Sequence, residues 1–565
     1  MTEVMTGAQA IVQCIRNENV RHVFCVPGES YLDILDAMYG LPDLQLISTR
    51  HEGGAAFAAE AYAKATGNVS VAMATRGVGA TNLSIGIHTA YQDSTPMVVF
   101  LGQVKSKFRE REGFQEIDLD RFFQHICKWT VEIRDVERIP ELVQRAFRVA
   151  QSGRPGPVVV SVPEDILKQT AEMRFAGKPA RTRPKPIEEE LNQCLNMIQQ
   201  AERPLIISGG GVLLNINIFN VQYIPEELLK FADSLSVPVL ASFRRHDVFP
   251  NDHQLYLGHL GIGTFDGIVE HVKQADLIIA LGTRLSEITT QSYSLIKPEH
   301  KLIHCDIEAD IIGRVYSPDL ALIGDMKATL QALNVLIKEK HIQAGSWKDW
   351  AEGRREVYEQ ITSLEQITTE DDEIEVKEII RVLQDNLPKD AILTNDAGNF
   401  SAWLHSYYQF TKPKTYIGPT SGAMGYGFPA AVGAKFAHPD RVVVSLSGDG
   451  GFMMTMSELE TAVRFNLPII AIVFNNNMYG TIRMHQEKHF PYRVIGTDLG
   501  NPDFVKLAES MGAYGLRVTK NEEFQDCLQA ALNYDKGPSV IEVVCSPEKI
   551  SVRSTIQQLR KTAKV

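Results

Sequence analysis

The sequence predicts an α/β chain of three doubly wound parallel-sheet domains. Three observations carry this reading. Short apolar strands alternate with helix-period segments along nearly the whole chain, which is how a parallel sheet covered on both faces is written. The alternation breaks at a Pro- and base-rich stretch, FAGKPARTRPKPIEEE (175–190), and again at a charged stretch, KEKHIQAGSWKDWAEGRREVYEQ (338–360). A chain of 565 residues is also too long for one core, at roughly 150 residues per domain.

The first domain, expected over 1–175, opens with the helical pattern GAQAIVQCIRNEN (7–19) and the strand RHVFCVP (21–27). Helix SYLDILDAMYG (30–40), strand LQLIST (44–49) and helix GAAFAAEAYAKATG (54–67) follow. Strand VSVAMAT (69–75), helix ATNLSIGIHTAYQ (80–92) and strand PMVVFLG (96–102) complete the clear signals. The stretch at 175–190 then reads as a linker.

The second domain, expected over 190–340, alternates PLIISGGGVLL, VPVLAS, DLIIALGTR and KLIHCDIEADI with helices such as EELLKFADSL and FDGIVEHVKQ. The charged stretch at 338–360 is expected to lead away from it. The third domain, expected over 370–550, runs through AILTNDAGN, RVVVSLSGDG, PIIAIVFNNN and PSVIEVVCS. Its rhythm matches that of the first domain, as duplication of one architecture would produce.

The net charge of −12 argues against nucleic acid or an anionic membrane as a partner. Seven scattered cysteines without a CxxC suggest neither a disulfide framework nor a zinc site, and fit buried thiols in a reducing compartment. The beginning MTEVMTGAQAIVQ lacks a signal-peptide profile, and no apolar run is long enough to span a bilayer, so a cytoplasmic location is expected.

The most informative chemistry lies between Gly448 and Asn477. Asp449 just past one strand and Asn476 just past the next would sit together at the carboxyl edge of a parallel sheet, where open α/β sheets bind ligands. Mg²⁺ takes oxygen ligands, commonly one or two protein groups plus phosphate oxygens, and Gly448, Gly450 and Gly451 let backbone amides approach a phosphate. The expected ligand is a diphosphate with its metal.

With these residues in view, the chain resembles thiamine diphosphate (ThDP) enzymes, most closely the acetolactate synthase large-subunit type. The likeness runs through a pyrimidine-binding, a central and a diphosphate-binding domain. It implies that Asp449, Asn476 and the carbonyl of Met478 ligate Mg²⁺. RHEGGAAFAAEAYAKATG places Glu52 where the family carries the acid that faces the aminopyrimidine. A carboxyl group there favours the imino tautomer, whose exocyclic nitrogen removes the thiazolium C2 proton. In SGAMGYGFPAAVGA, Met424 matches the apolar wedge between the cofactor rings, while Gly422, Gly425 and Gly427 permit close approach. Gly398, Asn399 and Phe400 align with residues near the diphosphate, although the family's Gln-His pair is Asn-Phe here.

The same resemblance implies an active site shared between two chains, hence a homodimer at minimum, with a dimer of dimers and a regulatory subunit both compatible. REGFQEIDLDRFF resembles the synthase segment that contributes Phe114 and Gln115. Together these imply a carboligase that decarboxylates pyruvate or a related 2-oxo acid and gives 2-acetolactate. Several positions depart from the synthase pattern. Arg76 and Val78 replace Ser and Pro, Ile288 replaces an acceptor-binding arginine, and His485 stands where tryptophan favours 2-oxobutyrate. Glu29 stands where synthases have Gly and simple decarboxylases have a catalytic Asp, so a non-ligating 2-oxo acid decarboxylase, or another ThDP-dependent lyase or acyl-transfer enzyme, is the alternative. Against it, the paired decarboxylase histidines are absent and Ile482 takes the place of their second glutamate. Central-domain segments resemble flavin-binding pieces, which would set Gly210, Gly282, Arg284, Asp306 and Asp325 against FAD; fold alone does not decide whether FAD binds.

Overall fold

A computed structural model describes residues 2–178, 181–213, 226–365 and 373–563. They form three parallel sheets of six strands each, plus a two-stranded ribbon.

The first sheet runs in the spatial order Gln45–Ser48, His22–Cys25, Ser70–Thr75, Met97–Gln103, Pro157–Pro163, Trp129–Glu132. The third runs Tyr416–Ile417, Ile392–Asn395, Val443–Gly448, Ile469–Asn475, Ser539–Val544, Tyr514–Val518. Numbered within its own domain, each reads 2-1-3-4-6-5, the identity that a duplicated architecture would leave. The central sheet is different: Tyr256–His259, Val239–Ala241, Pro204–Ser208, Leu277–Leu281, Lys301–Asp306, Leu320–Ile323. Its order, 3-2-1-4-5-6, is that of doubly wound dinucleotide-binding folds. In all three sheets the strand order reverses beside the first strand, and the crevice there is where such folds bind ligands.

Central strands are the ones the apolar runs reveal, because both of their faces are covered. Met97–Gln103 and Ile469–Asn475 are buried at every residue. The strands without a clear signal are mostly edges: Trp129–Glu132 is half-buried throughout, Leu320–Ile323 alternates buried and exposed, and Tyr416–Ile417 is two residues long. The run at Pro157–Pro163 is as apolar as its neighbours and completes the first sheet. The antiparallel pairing of Thr2–Thr6 with Thr170–Arg174 ties the start of the first domain to its end.

The stretch at 338–360 does not lead away from the central domain. It forms the helix Lys348–Thr362, which packs back onto that domain. Trp347 is buried and donates its indole N–H to the Leu235 carbonyl (2.9 Å), and Arg355 Nη1 donates to the carbonyls of Asn251, His253 and Tyr256. The charges occupy the outer face of an amphipathic helix, whose sparse apolar side is easily overlooked in sequence.

The first and third domains pack through the helices Glu52–Thr66 and Gly427–Ala437. Small residues set their separation: a Cβ at Gly433 would lie 2.0 Å from the Ala58 carbonyl oxygen. All seven cysteines are free thiols, five of them buried. No helix among the described residues is long and apolar enough to cross a membrane.

Candidate functional site

At the crevice of the third sheet the strand Val443–Gly448 feeds directly into the helix Asp449–Thr455. Asp449 is buried at the junction, and burial raises its carboxyl above the ordinary range against the pull of surrounding donors. Its Oδ1 accepts from Gly450 N (2.8 Å) and its Oδ2 from Asn501 Nδ2 (2.7 Å). Asn501 also donates to Asn475 Oδ1 (2.9 Å) and Asn477 Oδ1 (3.2 Å), so one carboxamide gathers the ends of both strands. Asn476 is half-buried and Met478 buried beside them.

Asp449, Asn476 and the Met478 carbonyl together offer a carboxylate, a carboxamide and a carbonyl. Oxygen donors with only one full charge suit Mg²⁺ that completes its shell with phosphate oxygens. Among the described residues no three His, Cys, Asp or Glu side chains cluster as metal ligands.

Asp396, at the end of the neighbouring strand Ile392–Asn395, carried no signal in the sequence. It is fully buried, and burial pushes its carboxyl up to about 6, while bound backbone amides and Arg244 act the other way. It accepts from Ala397 N (2.7 Å) and Gly425 N (3.1 Å), and a Cβ at Gly451 would lie 2.7 Å from its Oδ2. One carboxylate therefore links three segments: Gly398–Phe400, Gly422–Gly427 and Gly448–Gly451. Asp396 and Asn501 become visible only when distant loops meet.

Around this hub, Phe400 lies near Gly448, with 3.3 Å from its ring to a Cβ built there, and stacks on Phe474 at 5.5 Å. Asn399 Nδ2 donates to the Ile550 carbonyl (3.0 Å). Gly398, Gly422 and Gly425 have positive φ, and a Cβ at Gly422 would meet nothing within 4 Å. Met424 is half-buried and belongs to none of the hydrophobic core clusters, which a core-packing methionine would join. Open space at Gly422, a methionine outside the core clusters and an oxygen donor set fit a diphosphate-bearing cofactor with its metal.

The other candidates meet at the crevice of the first sheet. The helix Glu52–Thr66 begins at Glu52, whose Oε2 accepts from Asn82 Nδ2 (2.9 Å). A Cβ at Gly79 would stand 3.2 Å from Glu52 Oε1. Gly79 lies in the first turn of the helix Arg76–Asp93, and that same turn holds the remaining candidates. Glu29 Oε1 pairs with Arg76 Nη1 (3.0 Å), and Gly77 N donates to the Gln115 carbonyl (2.9 Å). The Phe114 ring lies 5.9 Å from the Arg76 guanidinium. Glu29, Glu52, Phe114 and Gln115 thus converge on one helix start. Glu52 is half-buried in the single chain rather than enclosed. The peptide just before it is anchored to the third domain: Glu458 accepts from the backbone N of Arg50 (3.2 Å) and His51 (3.0 Å).

Four of the five flavin candidates line a cavity of 540 Å³ at the junction of all three domains. Gly210 and Gly282 follow the first and fourth strands of the central sheet, at its crevice, and Arg284 and Asp306 line the same space. Burial lowers Arg284 to about 10 and raises Asp306, in each case the expected penalty on charge. Arg154, Arg245 and Arg314 add cationic walls suited to phosphates, and Asp306 offers acceptors to ribose hydroxyls. Asp325 stands apart: it is a buried N-cap that accepts from Ala328 N (3.0 Å), the ordinary role of Asp before a helix. Ile288 also lines this cavity, whereas Ile482 and His485 lie exposed on the helix Gly480–His489.

Comparison with known proteins agrees with this architecture. The chain matches three thiamine pyrophosphate enzyme domains: the N-terminal TPP-binding domain over 5–122, the central domain over 191–333 and the C-terminal TPP-binding domain over 396–543. It is 34% identical to the probable acetolactate synthase large subunit of Methanocaldococcus jannaschii, over 96% of this chain and 92% of that relative. The acetolactate synthase large subunit of Buchnera aphidicola subsp. Schizaphis graminum is 34% identical over 94% of this chain and 92% of its own. That of Corynebacterium glutamicum is 33% identical, with 96% and 87% covered. The chain belongs to the thiamine diphosphate-dependent enzymes of the acetolactate synthase large-subunit type.

Proposed function

We propose that this enzyme is a ThDP- and Mg²⁺-dependent carboligase that decarboxylates pyruvate and joins the remaining two-carbon unit to a second pyruvate, giving 2-acetolactate. The observation that carries the reading is the pairing of two half-sites, Glu52 at one crevice and Asp449, Asn476 and Met478 at the other, each at the carboxyl edge of its sheet. ThDP, when bound, supplies the carbon nucleophile that attacks the 2-oxo acid.

The chain's own residues do the rest. Asp449, Asn476 and Met478 hold the metal and through it the diphosphate. Met424 supports the bend of the cofactor, and Glu52 holds a proton at the aminopyrimidine. Gln115 and Phe114 orient the substrate. Because the half-sites belong to different domains, the working unit is a homodimer with shared sites, or a dimer of dimers. The relatives' description as large subunits supports a separate regulatory subunit. FAD is the proposed occupant of the central cavity, with a structural role, since acetolactate formation involves no net redox change.

One observation favours a second reading. Glu29 is 70% exposed at the first-sheet crevice, where an acid is placed to deliver a proton and end a simple decarboxylation. The test supplies ThDP, Mg²⁺ and pyruvate and identifies products by NMR. Acetolactate is expected. Acetaldehyde alone would move the assignment to the decarboxylase, and absence of CO₂ would refute both.

A further inference from the structure

Arg76 sits beside the proposed substrate crevice without any role in the reading so far. It is only 9% exposed, at the first residue of the helix Arg76–Asp93, and has φ +40°, a left-handed conformation that a long side chain rarely adopts. Its surroundings account for the strain. Nη1 pairs with Glu29 (3.0 Å), Nη2 bonds Glu164, and the Phe114 ring stands 5.9 Å from the guanidinium carbon. Nη1 also reaches the Phe114 carbonyl at 3.5 Å, while the buried Nε has no partner.

The facing turn is held from the same place. Gln115 has φ +64°, and its carbonyl accepts from Gly77 N (2.9 Å). A Cβ at Gly77 would stand 2.8 Å from that carbonyl, so the helix start and the turn are locked in register. On the near side, Ser30 Oγ and Thr75 Oγ1 lie 2.6 Å apart, which fixes the Glu29 segment against the residue before Arg76. The strands that end at Cys25 and Thr75 are neighbours across the crevice where this fold binds ligands. Glu29 and Phe114 are 70% and 72% exposed, and Arg76 is the side chain that reaches both, while the backbone of the turn is closed separately by Glu116, which accepts from Gly113 N (2.9 Å).

We infer that Arg76 is a positioning residue that holds Glu29 and the Phe114–Gln115 turn as one wall beside Glu52, and so governs which second molecule meets the donor's two-carbon unit. The inference rests on the proposed carboligase reading for its last clause only. A planar guanidinium can serve two carboxylates, a carbonyl and a ring at once; an ammonium is a point donor and cannot. Two acids share this one cation. The wall accordingly keeps a free carboxylate oxygen on Glu29 beside an exposed aromatic face, and both depend on the same anchor.

The first test needs no activity. In the cofactor-free protein, Arg76→Ala should speed amide hydrogen exchange across 113–117 at least ten-fold, with Arg76→Lys intermediate. Unchanged exchange in that turn would overturn the inference. The second test feeds pyruvate with ThDP and Mg²⁺ and compares ligated product with free acetaldehyde. Arg76→Ala should shift this ratio at least five-fold, with ThDP affinity and cofactor C2–H exchange within two-fold of wild type. Adding Glu29→Gln should shift the ratio little further, because the two residues act as a unit. A ratio that stays at the wild-type value, or strictly additive effects, would overturn the role. If Arg76→Ala does not fold, Arg76→Lys carries both tests, with wild-type values as the refuting result. Should wild type release no CO₂ from pyruvate, the carboligase reading fails while the exchange test still judges the anchor.

Discussion

Replacing Glu487 by glutamine removes a charge that two guanidinium groups share at the edge of the candidate metal site. Glu487 Oε1 accepts from Arg483 Nε (3.0 Å) and Arg560 Nη2 (2.6 Å), and Oε2 accepts from Arg560 Nε (2.8 Å) and Tyr492 N (3.1 Å). The Arg560 fork, aided by Tyr492 N and Arg483, holds the carboxyl down at about 2 against a reference of 4.5. At 1.36 kcal/mol per pH unit this corresponds to about 3 kcal/mol. The carboxylate itself has no exposed surface, but its partners Arg483 and Arg560 are partly exposed, and screening reduces the figure to about 2 kcal/mol.

That energy docks the helix Ile556–Thr562, which carries Arg560. Glu487→Gln should therefore speed amide exchange in 556–562 roughly 30-fold at pH 7. Because the folded carboxyl is depressed, its stabilisation is present above about 4.5 and is lost as pH falls toward 2, so the gap between wild type and variant should narrow between pH 5 and 3. Exchange within two-fold of wild type at pH 7, or a gap that does not narrow, would refute the reasoning. The consequence reaches the site: Ile556 and Ile550 pack with Met478, and Asn399 donates to the Ile550 carbonyl. Release of this helix should also weaken ThDP retention at limiting Mg²⁺.

Three further outcomes are expected. Glu52→Gln should leave ThDP bound but slow exchange of its C2 proton by orders of magnitude, read by quenched-flow NMR; unchanged exchange would remove Glu52 from its role. Asp449→Ala should weaken ThDP binding on the order of 100-fold in a Mg²⁺ titration, while leaving the thermal midpoint of the cofactor-free protein equal or higher, since a buried carboxylate costs stability. Gly433→Ala should destabilise by about 1–3 kcal/mol through overpacking against the Ala58 carbonyl, seen as a lower thermal midpoint than for alanine placed at the open Gly177.

The division between what was legible and what was not follows from range. Apolar runs such as VVVSL and IIAIV report burial on both faces of a strand, a local consequence of composition, so the parallel α/β class and the three sheets could be read directly. Edge strands such as Trp129–Glu132 could not, because one-sided burial leaves a weaker pattern. Glu52 and Asp449 stood out as candidates because each sits in a local motif at a strand end.

Asp396, Asn501 and Arg76 were different. Each acts by joining segments far apart in the chain, as when Arg76 meets Glu29, Glu164 and Phe114, and no local pattern records which carboxylate a buried guanidinium will find. Glu29 and Arg76 each read in sequence as a separate departure from the family pattern. By itself the sequence determined the fold class and the chemistry expected at two strand ends. Only the tertiary structure decided that those two departures are one ion pair, because charge pairing depends on distance in space rather than on separation along the chain.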